Sequence, residues 1–250
     1  MPHPRWNSSD PNPLSPADAS DADGTGAAAA VATSVTPLET GSSGAISWAD
    51  PSDITVAVAT HSNSGQSISF SDPLPPNAIT LLNAAEEAWE AVANVHFVNT
   101  ADTGTSNVSG ADIRVGLASL SSMGFIGYTS YSYSYADNHF VAGTVVALDD
   151  VGPANVAALG NGNAQFVGFQ STVFQVLLHE LGHALGLAHN TADATSIMYP
   201  TAGSANQYIT SADATALRTV YGAPSASAVA TAQADPTLLR LLPAGDTVTV

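Results

Sequence analysis

Apolar residues along this chain fall into blocks with two different periods, separated by polar and glycine-rich stretches. "ITVAVAT" (54–60) alternates and predicts a strand. In "NAITLLNAAEEAWEAVANV" (77–95), Ile79, Leu82, Ala85, Trp89 and Val92 recur at helical spacing behind Pro75 and Pro76, which predicts the first helix. "HFVNT" (96–100) and "ADIRVGLAS" (111–119) predict the next strands. The stretch from Gly124 to Asn138, rich in Gly, Ser and Tyr, predicts loop with a short strand. "HFVAGTVVALD" (139–149) predicts a further strand, and residues 153–170 predict loop.

A second helix is predicted over 171–185, with Val173, Val176, Leu177, Leu181, Ala184 and Leu185 as its apolar face. A third is predicted over 211–221. Thr210 with Asp213 three residues later forms a capping-box-like start, and Gly222 and Pro224 end it. The class is therefore mixed α/β (α+β), with a strand-rich N-terminal part. Residues 1–44 show no sustained period and predict a disordered leader or propeptide. The domain is expected over 45–222. Residues 223–250 are expected to be a linker, "APSASAVATAQADP", followed by a tail that turns apolar again.

Composition narrows the function. With 250 residues, 45% of them hydrophobic, the chain can bury one core of ordinary size. No apolar run approaches the roughly 18 residues that would span a membrane. The first thirty residues show no Sec-type signal. Acidic residues number 21 against four arginines (Arg5, Arg114, Arg218, Arg240), with no lysine. A net charge of −17 argues against nucleic acid or an anionic membrane as partner. Cysteine is absent, so a tight metal site must use His, Asp or Glu.

Such a site is visible in "HELGHALGLAHN" (179–190). His179 and His183, four apart, stack on one face of the second helix, where two imidazoles can hold one metal ion. Glu180 points about 100° away around the axis, so it is badly placed as a ligand but can reach water at the metal. Zinc prefers four ligands, and a catalytic site keeps one of them as water, so a third protein ligand is expected. Gly186 can adopt the left-handed conformation that ends a helix, which lets His189 swing back toward the same ion.

"HELGHALGLAH" matches H-E-x-x-H-x-x-G-x-x-H and resembles the signature of the metzincin zinc endopeptidases of peptidase family M10. "SIMYP" (196–200) follows His189, and Met198 matches the methionine of the turn beneath the metal in that family. Residues 84–100, "ADIRVG" and "ITSADATALRTVYG" (209–222) resemble the first helix, a strand and the final helix of its serralysin and matrixin branches.

The resemblance implies a metzincin fold: a twisted mixed sheet with two long helices, then a small C-terminal subdomain carrying the methionine turn and a last helix. It implies hydrolysis of protein or peptide substrates by zinc-activated water, with His179, His183 and His189 as ligands and Glu180 as general base. Met198 would be the floor of the site. A substrate would lie antiparallel to an edge strand, expected at about 140–148. "MYP" is similar to a matrixin, since Pro200 stands where serralysins carry a tyrosine. The lack of cysteine and the "GDTVTV" tail (245–250), similar to a type I export signal, favour a truncated, serralysin-like, secreted bacterial enzyme; a monomer is expected.

Weaker candidates remain open. Asp149 and Asp150 can bind calcium or be a solvated pair. His139 can line the cleft or sit in ordinary structure. Tyr128, Tyr131, Tyr133 and Tyr135 suit either a cleft or a half-exposed strand face. A rival function is a non-catalytic binding module of the same fold, and a third is a structural surface protein.

Overall fold

The computed structural model describes residues 5–9, 35–41, 44–60, 68–103, 110–120, 123–150, 152 and 156–242. The predicted strands form, as β2 (Ile54–Val58), β3 (Phe97–Thr100), β4 (Ile113–Ala118) and β6 (Thr144–Asp149), all parallel to one another. The Gly/Ser/Tyr stretch supplies a full strand, β5 (Phe125–Ser130), antiparallel to β6. A further strand, β1 (Arg5–Ser9), runs parallel to β5 on its other side. The sheet order is β1-β5-β6-β4-β2-β3.

This order corrects the expected edge strand at 140–148. β6 is central, between β5 and β4, and all six of its residues are buried. A strand covered on both faces reads as a continuous apolar run, as "TVVALD" nearly does. The segment expected to be all loop at 153–170 instead carries a small hairpin, β7 (Val156–Ala158) and β8 (Ala164–Phe166).

Two helices cover one face of the sheet. α1 (Pro76–Glu90) starts with Pro at its first position, where the missing N–H has no helical partner to lose. It stops short of the Val92 predicted for it. α2 (Val173–Ala184) packs on α1 and on β5 and β6. Trp89 of α1 donates its indole N–H to Leu178 O at 3.0 Å, which ties the two helices through a buried polar contact. Ile54, Val56, Ile113, Val115, Val146 and Leu148 face them from the sheet. The opposite face of the sheet carries a smaller cluster of Phe70, Leu120, Tyr128, Val145 and Ala147. Arg114 points to this second face and is fully buried, paired with both carboxylate oxygens of Asp102 at 2.8 and 3.0 Å.

Past α2 the chain forms a tight turn at 196–199 and then α3 (Ser211–Tyr221), whose bounds match the prediction. The region expected as linker is helical: α4 (Ala226–Ala234) and α5 (Pro236–Leu241) return to pack on α1 through Ala232, Leu238 and Leu241. Alanine is the best helix former, and Ser225 and Asp235 cap the two starts, which overrides the linker-like composition. The "GDTVTV" tail lies outside the described residues.

Packing also begins before residue 45. Glu39 N donates to Gly186 O at 2.8 Å, and Ala188 N donates to Pro37 O at 2.9 Å. Thr36 donates its hydroxyl to Asp213 on α3. Backbone pairing of this kind needs few apolar side chains, so composition does not reveal it.

Candidate metal centre

α2 is the element that positions the site. Thr172 caps it and Gln175 completes a capping box, which satisfies the first free N–H groups. All twelve residues of the helix are buried, including His179, Glu180 and His183. Burying three titratable groups is costly unless each has a partner.

The two helix histidines are held in the same way. His179 Nδ1 lies 2.6 Å from Ile197 O, and His183 Nδ1 lies 2.7 Å from Leu187 O. A carbonyl only accepts, so each Nδ1 carries the proton and each Nε2 carries a lone pair. Those two Nε2 atoms face each other at 3.1 Å. Two lone pairs so close repel unless a cation lies between them. Zinc–nitrogen bonds near 2.0–2.1 Å in a tetrahedron place two nitrogens roughly 3.4 Å apart, so the separation fits that ion. Burial pushes the pKa of both imidazoles well below the usual histidine value, and the neighbouring histidines push the same way. Both are thus held neutral, the form that binds metal.

The third histidine arrives by the expected route. Gly186 takes φ +99°, and a Cβ there would collide with Ile46 O. The chain reverses, Leu187 bridges to Leu38, and Asn190 N donates to Met198 O at 2.9 Å. His189 then stands 4.8 Å from His183 and 5.4 Å from His179 between ring centroids. One ligand nitrogen from each of the three lies within 4.8 Å of the others. Among the described residues this is the only group of three or more His, Asp or Glu so arranged.

The Glu180 carboxyl lies against the sheet, at β5. Its Oε2 accepts from the Thr129 hydroxyl of β5 at 2.6 Å, and its Oε1 is buried without a hydrogen bond. Burial raises its pKa well above the usual carboxylate value, while the Thr129 bond lowers it. Gly127, two residues earlier on the same strand face, meets Oε1 so closely that a Cβ would collide with it.

Met198 is fully buried under the helix, and a Cβ on Gly182 would come within 2.5 Å of its sulfur. Its neighbour Ile197 supplies the carbonyl that orients His179. The turn is clamped from α3: Asp213 accepts from Ser196 Oγ at 2.5 Å, from Ile197 N at 3.2 Å and from the α3 cap Thr210 at 2.7 Å. In the sequence, Asp213 is marked only as part of the α3 cap, and its clamp on the turn has no signature. Nor does the sequence single out Gly127, Thr129 or the two carbonyls, which are ordinary residue types with no spacing signature. Trp48 and Tyr221 were also missed; they donate to Ala184 O at 2.8 Å and Leu185 O at 2.9 Å, closing the end of α2.

Among the described residues the weaker candidates do not join this centre. Of the four histidines outside the trio, His3 and His61 lie outside the described residues. His96 pairs with Glu90 at 3.0 Å just before β3. His139 Nδ1 lies 3.3 Å from Ser47 O, before β6. Asp149 Oδ1 accepts from Leu120 N at 2.8 Å, and Asp150 accepts from Ser71 at 2.9 Å. Tyr128 sits in the second core cluster, Tyr131 packs edge-on to Phe140, and Tyr135 is 66% exposed.

The matrixin family model matches residues 72–222, more than half of the chain and all of α1 through α3. The match takes in the three histidines, Glu180 and Met198. The serralysin-like affinity expected from the tail is not part of what it shows. No curated protein matches the chain.

Proposed function

The chain belongs to the matrixin family of peptidases, and on that footing we propose that it is a zinc endopeptidase in which His179, His183 and His189 hold the metal and Glu180 is the general base. The supporting observation is the pair of Nε2 atoms facing each other at 3.1 Å, with both Nδ1 protons tied to carbonyls. Zinc held there supplies the Lewis acidity that polarises a peptide carbonyl and activates water.

Glu180 handles the proton. Its Oε2 is engaged by Thr129, so Oε1 is the oxygen that takes a proton from the attacking water and returns it to the departing amine. The raised pKa of a buried carboxyl makes it a stronger base than one in water, which suits that exchange. Met198 and Ile197 hold the floor and one ligand. Protein or peptide chains are the substrate class.

We place the enzyme outside the cell, as a monomer. An acidic, cysteine-free chain suits that setting. No described helix is long and apolar enough to cross a membrane.

A casein-digestion assay with and without chelator, on native protein and Glu180→Gln, tests the reading. Activity should vanish with chelator and return with zinc. Glu180→Gln should lose about 10²- to 10⁴-fold in turnover while keeping its zinc. No hydrolysis by the zinc-loaded native chain would leave it a binding module.

A further inference from the structure

α2 and β5 meet at a single carboxyl group. Thr129 Oγ1 lies 2.6 Å from Glu180 Oε2 and 3.0 Å from Glu180 O. A hydroxyl has one proton to give, and a carboxylate is the stronger acceptor of the two. The donor is also fixed. Thr129 is fully buried, and its main chain is paired with Val146 of β6 and with Ser8 of β1. A β-branched side chain on such a backbone has little rotamer freedom. On the same face, Gly127 leaves the space that Oε1 occupies, since a Cβ there would meet both Oε1 and Val176 Cγ1, the latter at 2.7 Å. The strand thus makes room for one oxygen and donates a proton to the other.

We infer that Thr129 is a positioning residue for the reaction: its hydroxyl pins Glu180 Oε2 and so presents Oε1 for proton transfer. This rests on Glu180 acting as the base. A carboxyl free to rotate about its terminal torsion would present either oxygen in many orientations, because that torsion is broad and twofold. A misdirected base loses rate without losing substrate binding.

The test uses the full zinc-loaded chain and four variants: Thr129→Val, Thr129→Ser, Glu180→Gln and the double variant Thr129→Val/Glu180→Gln. Turnover and KM on a fluorogenic peptide are measured beside zinc per chain and the position of the Glu180 carboxyl in crystals. Thr129→Val should lower kcat about 10- to 100-fold, with KM within about threefold, full zinc and a displaced carboxyl. Thr129→Ser should restore kcat to within about threefold of native. In the Glu180→Gln background the valine should change kcat by less than about twofold, because the hydroxyl would have nothing left to position.

The inference is overturned if Thr129→Val keeps native kcat, if its loss falls on KM, if the carboxyl does not move, or if the valine costs the same factor without Glu180. Near-normal turnover by Glu180→Gln alone would instead remove the base assignment itself, whatever Thr129→Val does. Should the valine variant not fold, Thr129→Ser against Thr129→Ala carries the same contrast.

Discussion

The proposed metal-holding and proton-handling halves of the site sit on adjacent residues of one helix, yet they are supported by different means. His179 and His183 are oriented by main-chain carbonyls, those of Ile197 and Leu187. Glu180 is oriented by a side chain, the Thr129 hydroxyl, and by the missing side chain of Gly127. Any residue has a carbonyl, so the histidine half depends on the path of the chain rather than on the identity of the residue that bonds it. The glutamate half depends on particular residues at two positions of a strand. The first arrangement should therefore tolerate substitution at its supports, and the second should fail with the loss of one atom.

Removing a ligand should have the largest effect. His183→Ala leaves two protein ligands, and zinc per chain should fall together with activity, in contrast to Glu180→Gln, which should keep its metal. Zinc analysis and turnover on the same preparations check it; a fully loaded His183→Ala protein would break the division between the halves. Next comes the path of the chain. Asp213→Ala removes the acceptor of the Ser196, Thr36 and Thr210 hydroxyls and of Ile197 N. Leaving several buried donors unsatisfied should cost about 3 kcal/mol or more of stability, measured by denaturant unfolding, and should weaken zinc binding as the turn shifts. The smallest effect is at the carbonyl itself. Ile197→Val keeps the group that bonds His179, so zinc content should be native and stability should fall by only about 1 kcal/mol. A marked loss of zinc there would mean that the side chain, and not the main chain, holds the histidine.

How much of this was visible in the sequence follows the same division. α2 and α3 are placed to within about two residues, α2 by its strong apolar period and α3 by the capping-box pattern at Thr210. The trio was found from His spacing and Gly186, since histidines at that interval with a glycine between are rare by chance. β5 was read as loop with short strand, because Gly127, Thr129 and Ser130 are small or polar. They are buried nonetheless, between α2 and the neighbouring strands. The edge strand was then sought in the more apolar β6, which is central for the very reason that it is apolar. α4 and α5 were hidden by alanine and serine, whose helices bury little: only Ala232 of α4 is buried. Positioning residues leave no pattern along a chain because their partners are distant, 51 residues away for Thr129 and Glu180.

The reversal at Gly186 has a thermodynamic side. His183 on the helix and His189 beyond the reversal become neighbours only when the helix ends where it does, with Leu187 O bonded back to His183. A cation held by both therefore recognises the folded end of α2 and not the extended chain. Its binding free energy is added to folding, by about 2.7 kcal/mol for each site held at a hundred times its dissociation constant. The last turn of the helix, the returning segment that pairs with Leu38, and the turn below it should melt later with metal than without. A helix terminus is ordinarily where order frays first; with a cation held by both histidines, its persistence here would be set by the free metal concentration around it.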